Sequence, residues 1–169
     1  MENIIGQLLT FLSYVVFGIS RFKKNKKDIL LYDNISRFFA IAAFAVLKTY
    51  AGIKNTIYVL VRNYVGDKVK NNSKKVKFLS FIIMLIILFI MYLFDKIDIS
   101  IICIALCGIT NLYGVIMCDE QGIRLWGMIG SIFYAIFLFA TANLVGGICE
   151  IICFIVSLLS YIKYAKKAN

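Results

Sequence analysis

Seven long apolar runs, each ended by a short polar stretch, fill almost the whole chain. They cover about residues 4–20, 30–48, 50–65, 78–94, 97–117, 124–142 and 144–163. A helix needs about 20 mainly apolar residues to cross the hydrocarbon core of a bilayer. The pattern therefore predicts an all-α membrane protein with seven transmembrane helices. The third run is the weakest, because Lys54, Asn55, Arg62 and Asn63 interrupt it.

Two stretches of this pattern repeat. Residues 36–61 lie over residues 131–156 without a gap at a shift of 95, and 10 of the 26 pairs are identical, among them Ser36/Ser131, Phe44/Phe139, Gly52/Gly147 and Ile57/Ile152. The repeat pairs the second run with the sixth and the third with the clear seventh, which supports the third as a span. By position the first run pairs with the fifth, and the fourth is left over. Two three-helix bundles joined by a linker helix (3+1+3) follow, and an odd linker makes the two bundles parallel. The bounds are 1–66 for the first bundle, 67–95 for a basic loop and the linker helix, and 96–169 for the second bundle and a basic tail. Internal duplication of this kind is a signature of transporters, whose sites lie where two repeats meet.

Composition and charge fix the setting. The 169 residues are 62% hydrophobic, with a mean hydropathy of +0.87, far above an ordinary soluble domain. The lipid bilayer is the partner that can absorb this much apolar surface. A net charge of +10 would point to nucleic acid in a soluble protein. Here the cations sort by topology instead, and no nucleic-acid partner is expected. Arg21, Lys23, Lys24, Lys26, Lys27, Arg62, Lys68, Lys70, Lys74, Lys75, Lys77, Arg124, Lys163, Lys166 and Lys167 fall on one side of alternating spans, against Lys48, Lys54 and Lys96 on the other. The positive-inside rule puts the N-terminus outside and the C-terminus in the cytoplasm. The first run is not a cleaved signal peptide, because its positive charges follow the apolar run instead of preceding it.

Little here supports covalent chemistry. There is no histidine, no P-loop and no dinucleotide-binding glycine motif, so neither an enzyme nor a cofactor is expected. Cys103/Cys107 and Cys149/Cys153 are each spaced i,i+4, on one helix face. Four thiolates could hold a soft metal, but free cysteine in an apolar helix usually behaves as a small hydrophobe, and no metal site is expected. The telling side chain is Glu150, about 10 Å inside the seventh span. An acid there costs roughly 2.5 kcal/mol or more on insertion scales and is a functional candidate by default. Its repeat partner at the shift of 95 is Asn55, and the two converge if the bundles pack face to face. Glu150 either faces a substrate or sits neutral, hydrogen-bonding a neighbouring helix. Asn111 and Gln7 are further candidate cavity liners. Asp33 and Arg37, at i,i+4, can pair. With Arg62 and Asn63 they form an inner gate or bind an anionic group, or else the arginines snorkel to the interface as anchors.

These pieces resemble a known family. Gly6-Gln7, RFKKNKKDILLYDN, LKTYAGIKNTIYVLVRN, IRLWGMIGSIFYAIF and GGICEIICFIVS, in that order, look like the YgjV-type family of bacterial inner-membrane proteins. The 3+1+3 plan resembles the SWEET/PQ-loop/PnuC-type superfamily of small-solute transporters. The resemblance implies a SWEET-like fold with a substrate site between the bundles. Asparagines of the third and seventh helices line that site in SWEETs, and this carries over to Asn55 and Glu150. There is one departure: SWEETs hinge on prolines, and this chain has none, so any alternating access must use glycine or rigid-body rocking. The expected function is a small-solute transporter or facilitator, multi-pass in the bacterial inner membrane. The rival is a membrane interaction or regulatory protein on the same fold. One chain with two fused bundles can enclose a pathway alone; a homo-oligomer is compatible with the sequence and not required by it.

Overall fold

Helices do not always end where hydrophobicity ends: all but the fifth continue, at one end or both, into flanking polar sequence. The computed structural model describes residues 2–165; Lys166 and Lys167, counted above among the basic side, lie outside the described residues. The helices are α1 (Glu2–Arg21), α2 (Lys26–Val46), α3 (Tyr50–Val69), α4 (Lys74–Tyr92), α5 (Ile99–Met117), α6 (Glu120–Ala140) and α7 (Leu144–Ala165), with no strand among the described residues. The Asp98 and Asp119 side chains cap α5 and α6, accepting the amides of Ile101 and Gly122 at 2.9 Å each, which satisfies donors that a helix start leaves open. The Ser100 hydroxyl and the Ile101 amide hold the Asp98 carboxyl below the usual carboxylate range. This cap is therefore complete above about pH 4 and lost as pH falls through the lowered value.

Six of the seven helices are long and apolar enough to cross a membrane; α3 is the exception. It has 20 residues but buries Asn55, Thr56, Arg62 and Asn63, and it packs against α2, α5 and α4. The other contacts run α1 to α2, α5 to α6, α6 to α7, and α7 back to α1. Followed in the order α1, α2, α3, α5, α6, α7, the contacts close on themselves. α4 rests on α5 and α3 and leaves most of its surface unburied. The apolar core gathers Tyr58 of α3, Met84 and Leu88 of α4, Ile104 and Leu112 of α5, and Phe137 and Leu138 of α6.

The helix limits repeat at an offset one residue away from that of the sequence identities. The starts of α2 and α6 (Lys26, Glu120), their ends (Val46, Ala140) and the starts of α3 and α7 (Tyr50, Leu144) are all offset by 94, not 95. The turns agree. Lys48 and Ala142 both adopt positive φ, at 57° and 56°, and the Thr49 and Asn143 amides both reach back to the carbonyls of Phe44 and Leu138 at 2.9 Å. Burial agrees too. Ile29, Leu30, Asp33, Ser36, Ala40, Ala43 and Phe44 of α2 map at 94 onto Ile123, Arg124, Gly127, Gly130, Tyr134, Phe137 and Leu138 of α6, all buried. The 95 register instead pairs Phe44, 4% exposed, with Phe139, 42% exposed. A one-residue slip turns a helix by about 100°. The register of 95 nevertheless survives in the packing of side chains: Phe44 lies on Gly52 as Phe139 lies on Gly147, and Asn55/Glu150, Tyr58/Cys153 and Arg62/Ser157 are all buried pairs.

Candidate functional site

The spacing of Asp33 and Arg37 on α2 brings their side chains together, as an i,i+4 pair should. Arg37 donates from Nε and Nη2 to Asp33 Oδ1 at 3.0 and 2.7 Å. The other carboxylate oxygen is met from α3: Asn63 Nδ2 donates to Oδ2 at 2.8 Å, and Arg62 Nη2 stands 3.6 Å from it. Arg62 also donates to Asn63 Oδ1 at 3.2 and 2.9 Å, and Asn63 Nδ2 donates to Asn34 Oδ1 at 2.8 Å. Asp33, Arg37, Arg62 and Asn63 thus form one network. Asp33, Arg62 and Asn63 are buried and the Arg37 side chain nearly so. The arginines turn into the protein rather than out to an interface.

Beside this network lies a cavity of about 40 Å³, room for about three waters. Every helix of the closed contact order contributes to its wall, through Arg21 of α1, Asp33 and Arg37 of α2, Asn55 and Arg62 of α3, Asn111 of α5, Ser131 and Tyr134 of α6, and Glu150 of α7. A second cavity of about 20 Å³, bounded by Thr10, Ser13 and Asn143, shares Phe17, Arg37, Tyr134 and Glu150 with the first. Those four side chains form the partition between two small chambers of mixed polar and apolar lining.

The remaining candidates divide. Glu150 is buried, and Tyr14 of α1 donates to its Oε2 at 2.6 Å. Asn55 is buried and lines the same cavity, with its Oδ1 left without a hydrogen-bond partner. Asn55 and Glu150, partners at the shift of 95, are both buried and meet at the cavity. Arg62 and Ser157, the next such pair, are both buried too. Asn111 lines the cavity while donating to the Cys107 carbonyl at 2.9 Å, and its amide packs against Gly130 so closely that no Cβ fits there. Gln7 lies elsewhere, in a groove with Leu144 and Val145 at the start of α7.

Sequence reasoning passed over three groups. Arg21 counts there as a loop charge, yet its side chain is buried over the Phe17 ring, 4.3 Å from the centroid. Its position at the end of an apolar run gives no sign of which way it turns. Tyr14 carries no signal among so many aromatics. Lys26 and Arg124 also read as loop charges, and both are buried. Lys26 Nζ donates to the Val115 and Cys118 carbonyls at 2.6 and 3.2 Å, a cation on the open C-terminal carbonyls of α5. Arg124 Nη2 donates to the Lys23 carbonyl at 2.7 Å, Tyr164 Oη to that of Phe22 at 2.8 Å, and Ser160 Oγ to that of Arg21. The turn between α1 and α2 is therefore fastened from α6 and α7, and the basic end of the molecule is shut.

No curated protein and no solved structure matches the chain. A family profile does, and it covers nearly every residue with the apolar helices described above. The chain belongs to the Imp-YgjV family of bacterial inner membrane proteins, which it matches over residues 4–168.

Proposed function

We propose that this multi-pass inner membrane protein is a small-solute transporter or facilitator that works by alternating access between two parallel three-helix units, α1–α3 and α5–α7, linked by α4. The N-terminus lies outside and the C-terminus in the cytoplasm, from the sorting of the cations. The observation that carries the reading is the enclosed cavity, walled by all six helices of the two units and holding the buried Glu150 and the unsatisfied Asn55 amide. An unsatisfied buried amide costs about 1–3 kcal/mol, so a purely structural interior gains nothing by keeping one. The two-unit plan is supported by matching contacts, since α1 on α2 and α2 on α3 have their counterparts in α5 on α6 and α6 on α7. In this plan Asn55 and Glu150 face the solute, Asn111 braces the wall, and Asp33, Arg37, Arg62 and Asn63 control the inner side. No covalent step is involved, and without proline the units rock as rigid bodies.

The test is uptake in proteoliposomes. The double variant Asn55→Ala/Glu150→Ala, well folded by gel filtration, is expected to lose transport of whichever solute the native protein moves; normal transport by it sinks the assignment. The small cavity volume favours a second reading, a membrane interaction or regulatory protein that translocates nothing. For that protein, filling the cavity with Asn55→Leu should raise thermal stability and leave the cellular function intact.

A further inference from the structure

The charges around the cavity do not balance. Three guanidiniums, of Arg21, Arg37 and Arg62, share its wall with two carboxylates, Asp33 and Glu150. Arg37 and Arg62 both turn to Asp33. Glu150 is occupied by Tyr14. Arg21 has no such contact: Asp33 and Glu150 act on it only across a distance. It is 6% exposed, no carboxylate comes within ion-pair distance of it among the described residues, and its Nε has no acceptor. What surrounds it is the Phe17 ring on one side and bare Gly127 on the other, where an added Cβ would stand 3.0 Å from Nη1. A charge taken out of water without a counter-charge costs several kcal/mol. A counter-charge that arrives and leaves would account for its being kept.

We infer that the central cavity binds a small hydroxycarboxylate, its carboxylate held by the Arg21 guanidinium and its hydroxyl donating to Asn55 Oδ1. The charge fits, because Arg21 is a buried cation with no ion-pair contact among the described residues. The geometry fits, because a planar guanidinium takes a carboxylate through two parallel N–H bonds. Asn55 Oδ1, in the same wall, is an acceptor with no donor, and the hydroxyl supplies one. The size fits, because the cavity holds only a few heavy atoms. The inference deepens the transporter reading and rests on it for movement across the membrane, but not for binding.

The probe is glycolate, with glycolamide as its neutral isostere. The purified full chain in detergent is titrated at constant sodium, glycolate replacing gluconate, and thermal unfolding is followed. Glycolate should raise the midpoint saturably and glycolamide should not. Arg21→Gln should weaken the glycolate response about tenfold or more, the loss of a charged hydrogen-bonded partner. If Arg21→Gln does not fold, Asn55→Asp decides: with a carboxylate built into the wall, the midpoint should rise without glycolate and the response should vanish. Equal stabilisation by glycolamide, or a full glycolate response in either variant, overturns the inference. Glycolate binding without counterflow of labelled glycolate in proteoliposomes keeps the anion site and removes transport. Counterflow of a neutral solute with no glycolate response keeps transport and removes the anion site.

Discussion

Asp33 answers to two arginines and an asparagine at once. Removing it leaves two buried cations without their shared anion, so Asp33→Ala should cost about 3–5 kcal/mol, read as a fall in the thermal midpoint in detergent. Asp33→Ala/Arg37→Ala should recover part of that loss, because one stranded charge goes with its partner. A milder change tests the backbone. Ala142 sits at φ 56°, a conformation costing a side-chain-bearing residue roughly 1–2 kcal/mol, so Ala142→Gly should stabilise slightly. At this scale the sequence shows only what is local. The Asp33–Arg37 pair follows from spacing on one helix. The meeting of Asn63 with Asp33 needs α3 docked on α2, and the inward turn of Arg21 depends on Phe17 and Gly127, neither of which an apolar pattern distinguishes.

At the scale of helices, two matching phenylalanines differ in cover. Phe44 is buried and Phe139 is 42% exposed, so Phe44→Ala should cost about 3–5 kcal/mol. Phe139→Ala should cost less, because its ring packs on Gly147 as Phe44 does on Gly52 but stays partly exposed. Leu138→Ala, fully buried, should behave like a core truncation. Equal losses for the two phenylalanines would mean that the partly exposed face of Phe139 is covered in the membrane. Helix number and position were legible because a span must be long and apolar, and each observed helix overlaps its predicted run. The one-residue offset of the helix limits was not, because Phe, Ile and Ala recur on packed and lipid-facing sides alike. The seam between the halves is also hidden in the sequence: Gly66 of α3 packs directly on Val115 of α5, and only the assembled pair reveals why no side chain fits.

At the scale of the molecule, the fastening of the α1–α2 turn sets the resting state. Arg124, Ser160 and Tyr164 hold its carbonyls, and Lys26 ties α2 to the end of α5. Losing the charged Arg124 bond gives up about 1.5–3 kcal/mol, which corresponds to about tenfold or more in the open population. Arg124→Gln/Tyr164→Phe should therefore speed labelling of a cavity cysteine, Val59→Cys, by a membrane-impermeant maleimide supplied from the basic side. Unchanged labelling would mean that the closure lies elsewhere. The polarity of α3 has its own outcome, during synthesis. A helix that carries Asn55, Arg62 and Asn63 has little reason to leave the translocon for lipid alone, and only three residues separate it from α2. It should enter as a hairpin with α2 and wait for α4 and α5 to cover it. Nascent chains ending near residue 72 should then be extracted by carbonate or degraded, while chains that include α5 should resist both. Order of emergence from the ribosome, and not hydropathy, would then decide whether this helix reaches the membrane interior.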